Sequence, residues 1–287
     1  MLDLALSILF SSLIFVIFKL YTRFRVQTLY AIIFNYITAC SVGFFLSDVR
    51  VSIVEIPSKK WFLGTLLLGL LFIIIFNLMA KTSQILGVSV ASVATKMSLA
   101  IPVLLGVILY GEALGPLKGI GILLALAAVY FTSVKKGPIK FNRQSLYLPV
   151  LVFLGSGIID AGIQYAEQFL VPTEEFPIFS STAFASAAFC GLMFILIRSW
   201  KTPVKILPRS IIGGIALGVP NFFSIYFLLR ALQNEVLNSA SVFTINNVAI
   251  VMFSTLLGIL LFKEVISAKN WFGIMMAILS ILLVAVF

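Results

Sequence analysis

The hydrophobic positions of this chain fall into long uninterrupted blocks, each about the length that an α-helix needs to cross a bilayer, roughly 20 residues. Ten blocks predict ten membrane helices, near 2–19, 27–46, 61–80, 87–110, 116–134, 147–169, 177–198, 208–230, 236–262 and 270–287. The breaks between them are short and polar, or rich in Gly and Pro, as at 47–60, 111–116, 135–144, 171–175 and 199–208. None is long enough for an extramembrane domain. The first block lacks a basic start and a small-residue cleavage pattern, so it reads as a span and not as a removed signal. The fold class expected is all-α integral membrane.

Composition supports lipid as the solvent. Of 287 residues 61% are hydrophobic and 10% charged, with a mean hydropathy of +1.17, whereas soluble chains carry about a quarter charged residues. A secreted disulfide scaffold, a disordered chain and a soluble enzyme are excluded. The two cysteines, Cys40 and Cys190, sit in apolar runs without a CxxC partner, and the chain has no histidine. That pattern offers no metal site and no cofactor site. It also removes the usual general base, so an enzymatic reading has no support.

The net charge of +10 becomes a topology signal once the spans are drawn. One set of span ends collects 14 of the 20 Lys and Arg residues, among them Arg23, Arg25, Lys81, Lys140, Arg198, Lys205, Arg209 and Lys263. The other set holds Arg50, Lys59, Lys60, Lys118 and Arg230, together with Glu167, Glu174 and Glu175. The richer side is expected in the cytoplasm, which places both termini outside. No basic stretch is interleaved with exposed aromatics, so nucleic acid is not an expected partner. The chain contains no Asn-x-Ser/Thr sequon, which fits a bacterial inner membrane.

The sequence also repeats itself at about half its length. Shifted by 152 residues, Ser89 meets Ser241, Glu112 meets Glu264 and Gly121 meets Gly273; shifted by 149, Gly69 meets Gly218 and Lys81 meets Arg230. The domains expected are a first five-helix repeat over 1–134, a linker over 135–146 and a second five-helix repeat over 147–287. Five spans per half is an odd number, so the second copy lies inverted. Inverted repeats are the architecture of alternating-access transporters.

Residues 73–131 and 225–283 carry a family likeness. A span-3 end with Lys81 leads into the small residues Ser89 to Ser92, then Gly111-Glu112 and Gly121; the second copy reads Arg230, Ser239 to Ser241, Lys263-Glu264 and Gly273. The chain resembles the EamA domain of the drug/metabolite transporter superfamily. Lys19 resembles the basic residue that members often carry late in span 1. The resemblance implies a central cavity surrounded by spans 3, 4, 8 and 9 with 1 and 6. The chain departs from the family in having Ser11-Ser12 where a Trp-Gly is common in span 1.

Charges inside a span cost about 2.5–3.5 kcal/mol each on insertion scales, so Lys96 and Asp160 stand out as candidate binding residues. Their depths differ by roughly 5 Å at 1.5 Å per residue, close enough to face one another. Ser156, Asp160, Gln164 and Glu167 form one helical stripe, and Ser89, Ser92 and Lys96 another. Span 3 adds Asn77, Lys81 and Gln84, span 8 Asn221 and Ser224, and span 9 Ser241, Thr244, Asn246 and Asn247. The expected solute-binding set is Lys96, Asp160, Gln164, Asn246, Asn247, Asn221, Ser92 and Lys19, with no catalytic residue. Pro102 and Pro220, in mid-span, are the expected hinges.

The function expected is a secondary transporter that moves a small organic solute by alternating access. The solute's own gradient, or proton or ion coupling, would drive it, in a monomer or homodimer. Lys96 favours an anionic or zwitterionic metabolite such as an amino acid, with export as one direction. The alternatives are an exporter of cationic compounds and a non-transporting membrane sensor.

Overall fold

A computed structural model describes residues 2–46, 53–110, 115–133, 143–172, 175–201, 205–232 and 239–286. Among these, all regular structure is helical. The order is α1 (Leu2–Arg23), α2 (Thr28–Leu46), a 3₁₀ turn (Ile53–Ser58), α3 (Phe62–Leu86), α4 (Val88–Met97), α5 (Ala100–Tyr110) and α6 (Pro116–Ser133). The second half follows with α7 (Arg143–Phe169), α8 (Phe176–Lys201), α9 (Pro208–Leu232), α10 (Ser239–Phe262) and α11 (Ala268–Val286). Among the described residues, eight segments are long and apolar enough to cross a membrane; the apolar stretches Gly119–Thr132 and Ala268–Leu283, in α6 and α11, are shorter. The chain is an integral membrane protein.

Local chemistry explains several boundaries. α6 and α9 begin on Pro116 and Pro208, where a missing N–H costs nothing because the first helical amides have no partner anyway. Ser267 caps α11, its hydroxyl accepting the Asn270 amide at 3.2 Å, and the Asn270 side chain accepts back from the Ser267 amide at 3.1 Å. The side-chain amide nitrogen of Asn270 donates to the Phe131 and Thr132 carbonyls at 3.1 and 2.7 Å. One side chain therefore starts α11 and satisfies carbonyls at the end of α6.

One expectation needs correction. The span foreseen as one helix over 87–110 is broken at Ser98–Leu99 into α4 and α5. The second half begins with α7 at Arg143.

Packing pairs α6 with α11, α2 with α8, and α4 with α10; α1 packs on α3, α9 and α10, and α7 on α3, α4 and α5. One core, with Phe18, Ile32, Tyr36 and Phe179, lies among α1, α2, α3 and α8. A second, with Met97, Ala125, Ala128, Val251 and Ala277, joins α4, α6, α10 and α11. Helices in lipid associate through close backbone approach at small residues. A Cβ on Gly69 would lie 2.6 Å from the Ala187 nitrogen of α8, and one on Gly218 would lie 2.7 Å from the Asn35 carbonyl oxygen of α2.

The helix ends sort into the two sets drawn from the sequence. On the basic-rich set, Gln27 donates to the Lys205 carbonyl at 3.1 Å and Lys19 to the Gln84 carbonyl at 3.0 Å. On the other, Asp3 pairs with Arg230 at 3.5 Å, and Glu175 accepts from Lys59 and, at 2.8 Å, from the Trp61 indole. Those two donors hold the Glu175 carboxyl below the usual carboxylate range.

Candidate functional site

The break between α4 and α5 gathers the interior charges. Pro102 stands four residues after Ser98 and has no N–H to give the Ser98 carbonyl. That carbonyl instead accepts from Ile101 at 2.9 Å in a tighter turn. The Ser98 hydroxyl donates to Asp160 Oδ2 of α7 at 2.9 Å. Lys96, half-buried two residues before Ser98, lies within electrostatic reach of Asp160 without a direct salt bridge between them. The expected pair is thus brought together, with Ser98 as a member that the helical stripes had missed. The signal for it was present: the residue four before an interior proline is where a helix loses a hydrogen bond.

Asp160 is exposed although its helix is packed. The lipid-exposed side of α7 is marked by Leu151, Leu154, Ile158 and Tyr165. At about 100° per residue, Asp160 points roughly 160° away from Ile158. Its exposure is therefore toward the interior of the bundle. Gln164, also exposed, shares that side. So does Ser156, buried with a hydroxyl that finds no partner. The arrangement offers a carboxylate, an ammonium, an amide and hydroxyls around irregular backbone inside a span, where non-helical backbone is tolerated only beside protein or a cavity.

The other expected residues are placed differently. Ser92 is buried and donates to the Ser89 carbonyl at 3.0 Å. Asn246 is buried, its carbonyl oxygen accepting from Ser7 of α1 at 3.1 Å, and Asn247 is buried beside it. Asn221 donates to Asn35 of α2 at 3.2 Å. Three of these contacts therefore join helices or turns, as polar side chains in membranes commonly do. α9 passes Pro220 as a continuous helix, so among the described residues only Pro102 of the two prolines coincides with a break. The side chains of Glu167, Ser241 and Thr244, and residues Glu112 and Glu174, lie outside the described ones.

Lys19 belongs to a second cluster at the start of α4. Gly87 joins α3 to α4 at φ 116°, a conformation that favours glycine. Glu264, from the α10–α11 connection, accepts from the Val88 amide at 2.9 Å, with Ser89 at 3.5 Å and the Lys19 ammonium 4.0 Å away. A carboxylate at a helix N-terminus meets unpaired amides and the positive end of the dipole. Glu264 therefore anchors the half-helix that carries Lys96 and leads into Ser98. Asn77 and Lys81 line a groove between α2, α3 and α8.

These features define a helical integral membrane protein. Residues 2–134 match the EamA-like transporter family, and the chain belongs to that family. It is 30% identical to an uncharacterized protein of Haemophilus influenzae over 97% of this chain and 96% of that one. Its fold is similar to a protein of known crystal structure, at a TM-score of 0.59 and 19% identity, over 98% of this chain and 94% of the other.

Proposed function

We propose that the chain is a secondary transporter of the drug/metabolite class, which binds a small anionic or zwitterionic solute at the α4–α5 break. The observation that carries this reading is the convergence of Lys96, Ser98 and Asp160 on broken helix inside a span. Intramembrane charges default to function because the bilayer penalises them, and broken helices supply binding sites in transporters. Lys96 would take a carboxylate or phosphate of the solute, Asp160 an ammonium or a coupling proton, and Gln164 a neutral polar group. An amino acid presents both charges.

Alternating access by two inverted five-helix halves, 1–134 and 147–287, is supported by the packing. Exchanging the halves maps α3 on α8 to α9 on α2, and α1 on α10 to α7 on α4. The aligned glycines Gly69 and Gly218 make the corresponding close approaches. We place the basic-rich ends in the cytoplasm, both termini outside and the protein in a bacterial inner membrane. One observation favours a second reading, export of cationic compounds: Asp160 is the more exposed of the two charges.

Flux into proteoliposomes tests the proposal, using a panel of amino acids, small organic anions and quaternary ammonium compounds. Saturable movement of one class identifies it. Absence of flux for every member, with folded protein, overturns the transporter reading.

A further inference from the structure

A groove of about 1070 Å³ runs between α2, α3 and α8, and Lys81 is the one charged residue among its described lining. Its walls are otherwise chiefly apolar, and Leu70, Ile74, Phe189, Phe194 and Ile197 are exposed along them. Polar lining gathers toward one end, where Thr28 begins α2 and Lys81 and Gln84 stand in the last turns of α3. The side-chain amide of Gln84 is engaged by the Phe18 carbonyl and the Thr28 hydroxyl, and that of Asn77 by the Ile73 carbonyl. Lys81 is exposed and makes no hydrogen bond or ion pair among the described residues. Along α3, Leu70 to Lys81 spans roughly 16 Å at 1.5 Å per residue. Half of a hydrocarbon core is about 15 Å.

From this geometry we propose that the groove is a specific site for an anionic glycerophospholipid of the leaflet that meets the basic-rich helix ends. One acyl chain lies along α3 and α8 from Lys81 toward Leu70, and the phosphate pairs with the Lys81 ammonium at the headgroup boundary. The groove has the depth of one leaflet, the apolar lining of a chain site and a single cation where a headgroup sits. Leaflet lipid without selectivity would need no such cation. A basic residue near an anionic lipid surface contributes enough for about a fivefold preference over a zwitterionic headgroup. The site is independent of the solute site.

The test is quenching of a tryptophan in the groove by brominated lipids. Phe189→Trp suits it because Phe189 is 63% exposed and lines the groove. Signal from the parent protein in the same vesicles, brominated phosphatidylglycerol or phosphatidylcholine alike, is subtracted. Brominated phosphatidylglycerol is expected to quench with an association constant about fivefold above that of brominated phosphatidylcholine, and the ratio is expected to fall to about one in Lys81→Ala. Equal quenching by the two lipids with Lys81 present overturns the proposal. So does an absence of quenching by either, which means that protein covers the groove. Should Phe189→Trp fail to fold, native mass spectrometry of the unmodified protein and Lys81→Ala measures the same preference. Preferential retention of phosphatidylglycerol that depends on Lys81 supports the site, and indifferent retention refutes it.

Discussion

Ser98 and Asp160 meet across two helices at 2.9 Å, the serine hydroxyl donating to the carboxylate at the point where α4 gives way to α5. A hydrogen bond to a charged group contributes about 1.5–3 kcal/mol. Ser98→Ala is expected to weaken solute affinity about tenfold while leaving helix content intact, because it frees Asp160 from a fixed orientation. Isothermal titration beside circular dichroism checks this; unchanged affinity would show that the bond only joins helices.

Pro102 denies the Ser98 carbonyl its helical donor. Pro102→Ala restores an amide and is expected to draw α4 and α5 toward one continuous helix. Hydrogen exchange at the amides neighbouring residue 102 should then slow, and transport should slow more than binding weakens. Exchange as fast as at the present break would separate the break from the proline.

Glu264 holds the start of α4 from a distant connection. Glu264→Gln removes the charge at the helix N-terminus, and the expected loss of stability is about 1 kcal/mol, within the range for a carboxylate near a helix dipole. Gly87→Ala should destabilise through the positive φ at that junction. Thermal unfolding in detergent measures both.

Glu175, outside the spans, accepts from Lys59 and Trp61, which hold its carboxyl below the usual range. A depressed carboxylate stabilises the fold above its unfolded value, about 4.3 for glutamate, and that contribution is lost as pH falls through the folded value. Trp61 emission, with Trp200 and Trp271 replaced by phenylalanine, is expected to change in acid below about pH 4.3. The same transition should be missing in Glu175→Gln.

Hydropathy made the helices legible because a lipid-solvated span must satisfy its backbone internally, so its length appears directly as an apolar run. The sorting of helix ends was legible too: Gln27 with Lys205, and Asp3 with Arg230, join ends that the charge tally had placed together. Lys96 and Asp160 stood out because the bilayer excludes charge. The helix break did not, since hydropathy is blind to a turn at Ser98–Leu99 that keeps apolar neighbours. Asn246 and Asn221 illustrate a different limit. A polar residue on a helix face can meet a solute or another helix, and the sequence does not show that Asn246 meets Ser7 and Asn221 meets Asn35. The groove that Lys81 lines was not legible either, because it takes its walls from α2, α3 and α8 together.

If the Lys96–Ser98–Asp160 cluster holds the transported solute, its two charges must set the concentration at which transport saturates. The decisive measurement is concentration-dependent flux in proteoliposomes, with Lys96→Ala and Asp160→Asn compared with the unaltered protein. Each variant is expected to fold, and its half-saturating concentration to rise at least about tenfold, equivalent to roughly 1.4 kcal/mol of lost binding. Unaltered saturation in both variants would refute a solute site at the break and leave the two charges as packing elements.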